Sequence, residues 1–191
     1  MIVCGFFRKI SMKILLTGAP GVGKTSLVKY LSEQLENCAG FYTEEIRDER
    51  NKRRTGFDIV TLGSEQRASL ARVNTPVKGP KVGQYTVTLA QFESLALDSL
   101  SADSLKNSRV LLLDEIGKME SFSSKFQSLV REIFFSDSYY QGDVIVATIP
   151  LKFESVGLVK EIVNKSDAEI IEVTASNRDE LRNILLGRLS E

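Results

Sequence analysis

The sequence predicts an α/β protein with a central, mostly parallel sheet, an antiparallel β extension of that sheet, and helices on both faces. Two observations lead to this fold class. Short apolar runs alternate with helical periodicity at both ends of the chain, as in parallel sheets whose strands are joined by helices. Residues 40–89, in contrast, contain β-rich runs without a helical pattern, which indicates antiparallel strands.

The first elements of the predicted domain are a buried strand and an amphipathic helix. Met12–Thr17 is an apolar run that ends at a glycine, which is typical of a strand covered on both faces. From Thr25 the leucines recur every four residues, and this spacing predicts a helix with one apolar face. Because a second methionine opens the strand, residues 1–11 are predicted to be an optional leader that need not be ordered.

The antiparallel extension is predicted from three β-rich segments that follow. The runs 40–46 and 56–62 are separated by a wholly polar spacer, so they are expected to form a long hairpin. Further strand is expected within 67–89, where apolar and polar residues alternate at its end. Pro76 and Pro80 mark a loop inside that segment.

The second half of the chain returns to alternating helices and strands. Strands are predicted at 110–113, 144–147 and 169–173. Helices are predicted by the apolar stripes of Phe92, Leu95, Ala96 and Leu100, of Phe126, Leu129, Val130, Ile133 and Phe134, and of Leu181, Ile184 and Leu185. Capping boxes are predicted at Ser124 with Gln127 and at Ser176 with Asp179. The length of 191 residues favours a single domain spanning 12–191.

The composition excludes several classes of function. The chain has no histidine, so a Ser-His-Asp triad, a histidine base and a histidine-ligated zinc are impossible. Lys and Arg number 25, as do Asp and Glu, and this balance gives no strong attraction to nucleic acid or an anionic membrane. No apolar run approaches a membrane span. Cys4 and Cys38 read as reduced thiols. We therefore expect a soluble, cytoplasmic monomer without a membrane partner, and the composition does not indicate a nucleic-acid partner.

A phosphate-binding loop follows the first strand and opens the first helix. The residues matching GxxxxGK[ST] are Gly18, Ala19, Pro20, Gly21, Val22, Gly23, Lys24 and Thr25, and Ser26 follows them. Glycines in such a loop allow backbone N–H groups to converge on a triphosphate at the start of a helix. Lys24 is expected to reach the β- and γ-phosphates, and the Thr25 hydroxyl to bind Mg²⁺.

Two carboxylates follow the buried strand Val110–Leu113. Ligands of open α/β sheets bind at the carboxyl ends of the strands, so Asp114 and Glu115 are expected beside the phosphate loop. Asp114 is assigned to Mg²⁺, through water. Glu115 is assigned the role of orienting and deprotonating a water molecule aimed at the γ-phosphate.

Two segments also match motifs of GTPases. Residues 114–117 fit DxxG, and residues 164–167 fit the guanine-reading NKxD. The second match, however, follows a helical stretch and precedes the strand 169–173, which places it at the sheet edge away from the phosphate loop. We therefore expect a turn at 164–167 and no base reading by Asp167.

The motifs occur in an order that resembles a known family. They are the phosphate loop, GFYTEEIR at 40–47, GFDIVTL at 56–62, VGQY at 82–85 and DEIGKME at 114–120. Together they resemble the small nucleoside-triphosphatases first known from thermophiles, whose animal members are the cancer-related nucleoside triphosphatases. The resemblance implies a RecA-like P-loop fold and slow, Mg²⁺-dependent hydrolysis of nucleoside triphosphates such as ATP, GTP, CTP and UTP to diphosphates.

The same resemblance carries site residues over to this chain. It implies the phosphate loop at 18–25, a metal aspartate at Asp114 and a catalytic glutamate at Glu115. An Asn-Arg pair of the family falls on Asn177 and Arg178, which are expected near the base. Ser26 is a departure, since a second threonine is common there.

The hairpin is predicted to supply a further cation. P-loop hydrolases commonly need an additional positive charge at the γ-phosphate, and Arg47, at the end of an apolar strand, is the candidate. The basic cluster at 50–54 is expected to be a solvated tip. Two alternatives to hydrolysis stay open: a P-loop kinase for a small molecule or polynucleotide, and a nucleotide-dependent switch that binds a protein or RNA.

Overall fold

The computed structural model describes residues 12–190, so the predicted leader at 1–11 lies outside the described residues. The strands are β1 Met12–Thr17, β2 Cys38–Arg47, β3 Arg54–Thr61, β4 Arg67–Arg72, β5 Lys81–Val82, β6 Tyr85–Val87, β7 Val110–Leu113, β8 Val144–Thr148 and β9 Glu169–Glu172. The helices are α1 Lys24–Gln34, α2 Leu89–Ser99, α3 Ala102–Leu105, α4 Ser124–Phe135, α5 Gly157–Lys165 and α6 Arg178–Ser190. None of these helices is both long and apolar enough to cross a bilayer.

All strands of the described chain join one sheet. Their order is β5-β6-β4-β3-β2-β7-β8-β1-β9. Strands β2, β7, β8, β1 and β9 run parallel to one another, whereas β3, β4, β6 and β5 continue the sheet in antiparallel pairs. The predicted fold class is confirmed. Strand β8 lies between β1 and β7, so the carboxyl ends of these three strands meet at one edge.

The long hairpin predicted in the antiparallel extension is formed by β2 and β3. Its ladder runs from Phe41 opposite Thr61 to Arg47 opposite Arg54, with a register shift after Ile46. The Asp48 carboxylate accepts hydrogen bonds from the backbone N–H groups of two tip residues, at 2.9 and 3.0 Å. The first part of β2 also pairs in parallel with β7, as far as Phe41 opposite Leu113. The hairpin therefore continues a central strand of the sheet beyond the carboxyl end of β7.

Alternate residues of the central strands bury themselves on opposite faces of the sheet. On one face, Leu15 of β1 and Leu111 of β7 pack in a core that includes residues of α2, α4 and α5. On the other, Ile14 and Leu112 pack with residues of α1 and α6. Both layers predicted from the apolar runs therefore exist, and each central strand is covered on both sides.

Several sequence predictions about helix ends and faces are wrong. Helix α4 is capped by Ser123, not Ser124: the Ser123 hydroxyl accepts the Phe126 N–H at 3.0 Å, while the Gln127 side chain binds the Ser121 carbonyl. Ile184 is 44% exposed, because leucines spaced four residues apart along α6 face the sheet instead.

Two predicted helix and strand boundaries also differ from those in the structure. Ser176 does not open the last helix, since α6 begins at Arg178 after a turn in which Thr174 and Asn177 exchange hydrogen bonds. Leu89, predicted to end a strand, begins α2. Its neighbour Thr88 turns the chain there, with its hydroxyl bonded to the Ser69 carbonyl at 2.7 Å.

The aromatic cluster under the hairpin gives a test of the core. Phe126 is fully buried, with its ring centroid 5.2 Å from that of Phe92 and 6.2 Å from that of Phe41. Phe126→Ala leaves a cavity and is expected to lower the free energy of unfolding by about 3–5 kcal/mol in urea denaturation. The matched control is Phe135→Ala on the same helix, whose ring is 40% exposed and whose loss is expected to cost less than about 1 kcal/mol. Equal losses would contradict this assignment of the core.

Candidate functional site

The phosphate loop connects β1 to α1 and closes around a lysine. Gly18 has φ 145°, and a Cβ at this residue would stand 2.3 Å from the Val173 carbonyl oxygen, so only glycine fits. Gly23, at φ 114°, precedes the helix. The Lys24 Nζ donates hydrogen bonds to the carbonyl oxygens of Gly18, at 2.8 Å, and Ala19, at 3.3 Å. The loop therefore carries a positive charge on its inner side.

Asp114 follows β7 at the same edge and is held by two threonines. Its Oδ2 accepts the Thr43 N–H and hydroxyl at 3.1 and 2.9 Å, and its Oδ1 accepts the Thr148 hydroxyl at 2.7 Å. The aspartate is only 1% exposed. Sequence reasoning missed both threonines. Each lies near the carboxyl end of the parallel part of a strand that pairs with β7, Thr43 on β2 and Thr148 on β8. This placement is the signal that could have found them.

The residues at this edge fit the predicted metal. Thr25 and Asp114 line the same cavity, and they offer a hydroxyl and a carboxylate. Oxygen ligands of this kind suit Mg²⁺, which is usually bound by one or two protein groups together with substrate phosphates and water. Protein donors already occupy two positions on Oδ2 and one on Oδ1 of Asp114, and a contact through water is compatible with the remaining capacity of Oδ1.

A cavity of about 620 Å³ lies between the phosphate loop, the hairpin and the loop after β8. Its walls bring together Gly18, Pro20, Gly21, Gly23, Lys24, Thr25, Ser26, Thr43, Glu45, Arg54, Phe57, Asp114, Glu115, Pro150, Leu151 and Lys152. Most of the predicted phosphate-binding residues are thus in one place with both predicted carboxylates. Of the predicted loop, Ala19 and Val22 do not line the cavity. Ala19 turns the loop by accepting the Val22 N–H at 3.3 Å.

Glu115 lies in the wall of this cavity with an unusual electrostatic environment. Burial raises the pKa of its carboxyl, and the neighbouring Asp114 raises it further, whereas Lys24 opposes the shift. A second carboxyl, Glu120, is 3% exposed and accepts the Gly117 N–H at 3.0 Å. Burial raises the pKa of Glu120 to about 8, and Glu115 adds to that shift. Sequence reasoning did not single out Glu120.

The hairpin places Arg54, rather than Arg47, in the cavity wall. Arg47 is 54% exposed; it pairs with Glu45 and donates to the Lys52 carbonyl at 2.9 Å, outside the lining residues. Arg54 also pairs with Glu45, and its guanidinium lies 5.3 Å from the centre of the Phe57 ring. Arg54 is exposed, as expected for a solvated tip, yet β3 begins at this residue and it lines the cavity beside the phosphate loop.

The predicted base neighbours lie on the other side of the phosphate loop. The Arg178 guanidinium donates to the Val22 carbonyl at 3.4 Å and packs against Gly23. Together with Ser26 and Arg182 it lines a cavity of about 190 Å³. The Asn177 side chain instead closes the turn before α6, where it bonds the Thr174 N–H and the Glu172 carbonyl. A contact of either residue with a base stays a prediction.

The NKxD match lies at the opposite edge of the sheet, as expected. Asp167 follows α5, and its Oδ1 is 2.9 Å from the Nζ of Lys13, near the amino end of β1. The phosphate loop leaves β1 at its other end.

Comparison with known proteins agrees with this geometry. A family model described as "NTPase" matches residues 13–186. This chain belongs to the NTPase family. The nucleoside-triphosphatase THEP1 of Aquifex aeolicus is 43% identical over 183 residues, which cover 93% of this chain and 99% of that protein. The human cancer-related nucleoside-triphosphatase is 45% identical over 180 residues, which cover 88% and 91% of the two chains.

Solved structures of the NTPase family share the fold. The crystal structure of THEP1 from the hyperthermophile Aquifex aeolicus matches with a TM-score of 0.80 and 40% identity, over 94% of this chain and all of the other. The solution structure of the human cancer-related nucleoside triphosphatase matches with a TM-score of 0.74 and 41% identity, over 93% of this chain and 97% of the other. The family resemblance seen in the sequence is confirmed.

The buried Glu120 gives a test of the electrostatics in this member of the NTPase family. With its pKa raised by burial to about 8, Glu120 is expected to keep its proton in the folded protein well above the ordinary glutamate pKa of 4.5. Because the folded-state pKa is the higher one, the free energy of unfolding is expected to fall as pH rises between these values. Urea denaturation at several pH values measures the slope. No histidine titrates in this range.

The matched variant is Glu120→Gln, which has the same shape and no proton to lose. Its unfolding free energy is expected to depend less on pH than that of the unmodified protein. Identical slopes for the two proteins would show that Glu120 is ionised in the folded state at neutral pH.

Proposed function

We propose that this protein hydrolyses nucleoside 5′-triphosphates, such as ATP, GTP, CTP and UTP, to the diphosphate and phosphate in an Mg²⁺-dependent reaction. The observation that carries the proposal is the meeting of Lys24, Asp114 and Glu115 in one cavity at the end of the phosphate loop. Membership of the NTPase family and the names of the relatives support the reaction class.

Each residue of the site has a separate role in the proposed hydrolysis. Backbone N–H groups of the phosphate loop and the Lys24 ammonium hold the β- and γ-phosphates. The Glu115 carboxylate takes a proton from a water molecule whose oxygen bonds to the γ-phosphorus, while the bond from that phosphorus to the bridging oxygen breaks. The diphosphate leaves with the electron pair of that bond. Mg²⁺, held by Thr25 and Asp114, would neutralise charge on the phosphate oxygens.

Broad base specificity is part of the proposal. The motif that would read guanine is at the wrong edge of the sheet, where Asp167 faces Lys13. The base neighbours predicted instead offer an arginine guanidinium beside the phosphate loop, and a guanidinium can stack on any base.

The main experiment follows phosphate release from ATP, GTP, CTP and UTP, with and without Mg²⁺. We expect rates within about tenfold of one another, and loss of activity without Mg²⁺. Lys24→Ala is expected to lose nucleotide binding and turnover together, because the charge on the phosphates is gone. Glu115→Gln is expected to keep binding and to lower kcat by about 10²–10⁴-fold, since an amide cannot accept the proton.

The controls separate this reaction from its alternatives. Glu33→Gln, an exposed change near the end of α1, is expected to behave like the unmodified protein. A near-normal rate for Glu115→Gln would overturn the assignment of the base. A thousandfold preference for GTP that Asp167→Ala abolishes would restore the GTPase interpretation. Diphosphate formed only with an added acceptor, which becomes phosphorylated while no free phosphate is released, would indicate a kinase.

We also propose that the additional cation at the γ-phosphate is Arg54. Its guanidinium lies in the cavity wall, between the Glu45 carboxylate and the face of Phe57. An incoming phosphate competes with Glu45 for this guanidinium, whose planar donors suit phosphate oxygens. Arg47, the residue expected from the sequence, is the competing candidate, and the same Glu45 holds it on the hairpin.

Alanine variants of the hairpin arginines decide between the two. Arg54→Ala is expected to lower kcat by up to about 10³-fold with a smaller effect on nucleotide binding, because the charge is needed mainly in the transition state, while the γ-phosphoryl group passes to water and the diphosphate leaves. Arg47→Ala is expected to change kcat little. Arg53→Ala, next to Arg54 but outside the cavity, is the matched control. A silent Arg54→Ala beside a slow Arg47→Ala would move the cation back to Arg47.

A further inference from the structure

A second large cavity adjoins Arg54 at the tip of the β2–β3 hairpin. Its volume is about 650 Å³, and its walls come from residues of the tip between 48 and 55, from residues 73 and 74 after β4, and from Gln84 and Tyr85 where β6 begins. We call it the tip cavity. Cavities that hold small molecules fall in this range of volume. Arg54 lines both the tip cavity and the phosphate cavity, and it is the one lining residue of the tip cavity that the proposed hydrolysis uses.

Positive charge dominates the wall formed by the hairpin tip. Arg53 and Arg54 line it against a single carboxylate, that of Asp48, whose Oδ1 already accepts two backbone N–H groups of the tip at 2.9 and 3.0 Å. Within residues 12–190 the exposed Arg53 side chain forms no hydrogen bond and no ion pair. Its guanidinium can therefore bind an anion without losing a partner, and its planar donors suit phosphate oxygens.

The amide side chains of the tip cavity divide into donors and acceptors. At the tip, the Asn51 Oδ1 accepts the Arg53 backbone N–H at 2.8 Å, so the Asn51 NH₂ group remains as a donor. Across the cavity, the Gln84 Nε2 donates to the Tyr85 hydroxyl at 3.3 Å, so the Gln84 Oε1 remains as an acceptor. An anionic group thus fits the tip wall, and hydroxyl groups of the same molecule fit the wall opposite.

We propose that the tip cavity binds a phosphate monoester of a small hydroxylated molecule, a sugar phosphate or a nucleoside monophosphate. The phosphate lies against Arg53 and the Asn51 NH₂, and a sugar hydroxyl donates to the Gln84 Oε1. A phosphate monoester brings three terminal oxygens and a charge of about −1.5 to −2 to the two arginines, whereas a carboxylate brings two oxygens and one charge. Binding at this site does not depend on the proposed function.

Arg54 connects the tip cavity to the proposed hydrolysis. Its guanidinium pairs with Glu45 and lies 5.3 Å from the centre of the Phe57 ring, and that ring is 5.2 Å from the ring of Tyr85 in the tip cavity. A phosphate in the tip cavity competes for the guanidinium that the γ-phosphate uses. The bound ester is therefore expected to lower kcat without displacing the triphosphate. This consequence rests on the proposed function.

Calorimetric titration tests the site directly. Ribose 5-phosphate and UMP are titrated into protein saturated with Mg²⁺ and a non-hydrolysable ATP analogue, so that the phosphate loop is already filled. At least one of the two esters is expected to bind, and which one binds more tightly identifies the sugar phosphate or the nucleotide as the ligand. Ribose and uridine, which lack the phosphate, and inorganic phosphate, which lacks the sugar, are expected to bind about tenfold more weakly or worse.

Two arginines of the same tip provide matched variants. Arg53→Ala is expected to weaken binding of the ester by about tenfold or more, because a charged contact with the phosphate is lost. Arg50→Ala removes the same charge from an exposed residue of the tip that does not line the cavity, so it is expected to change binding by less than about twofold. Gln84→Ala is expected to weaken binding of the ester but not that of inorganic phosphate. Circular dichroism verifies that each variant is folded.

Steady-state hydrolysis of ATP tests the connection through Arg54. Saturating ester is expected to lower kcat by about tenfold or more, since an arginine at the γ-phosphate contributes up to about 10³-fold, and to leave KM unchanged. The same concentration of ester is expected to lower kcat in Arg50→Ala but not in Arg53→Ala. A rise in KM in place of the fall in kcat indicates competition at the phosphate loop and contradicts the connection.

The outcomes are distinct. Failure of both esters to bind, or an equal loss of binding in Arg53→Ala and Arg50→Ala, overturns the site. Inorganic phosphate that binds as tightly as the esters overturns the ligand class, because the cavity then holds an adventitious ion only. Binding without an effect on kcat overturns the connection through Arg54. Absence of hydrolysis by the unmodified protein overturns the proposed function, while the titrations still decide whether the tip cavity is a binding site.

Discussion

The buried carboxylate of Asp114 is the interaction on which the arrangement of the site depends. It stands at the end of β7 and accepts three hydrogen bonds from threonines of the two neighbouring strands, β2 and β8. A charge with 1% exposure is tolerated only where donors replace water, so these bonds hold the strand ends in register. The phosphate loop leaves β1, the next strand beyond β8. One carboxylate thereby aligns both walls of the phosphate cavity.

The same constraint explains how the hairpin takes part in the site. Thr43 lies on β2, and two residues further along the same face is Glu45, opposite Phe57 of β3. These three side chains reach the cavity because the pleat repeats every second residue. Glu44 points to the other face, where it pairs with Lys29 of α1 and with Arg67 of β4. Successive side chains of GFYTEEIR (40–47) therefore alternate between the face with the phosphate cavity and the face that packs on α1.

The contiguous parts of the site could be predicted from the sequence, and the parts that depend on register could not. The phosphate loop, Asp114 and Glu115 are adjacent to their own strands, so local pattern places them. Arg47 also follows the alternation of Thr43 and Glu45, but the register shift after Ile46 interrupts it. The guanidinium then turns to the Lys52 carbonyl, and Arg54 takes its place across the ladder. A bulge of this kind leaves no mark in the apolar pattern. The fold class survives such a shift because it depends only on alternating elements.

Glu120 shows a second limit to prediction from sequence, because its burial near the site depends on where the loop after Gly117 returns. In the sequence it is one of many glutamates, and only the short helix after Gly117 brings it behind Glu115. Glu115 itself has to meet two opposing requirements. A base for water needs to bind a proton more readily than an ordinary glutamate does, and burial beside Asp114 provides this. It also has to be ionised when the substrate is bound, and the Lys24 ammonium favours that form. Burial and Asp114 raise the pKa of Glu115 while Lys24 opposes that shift, so both conditions act on one carboxyl in a chain without histidine.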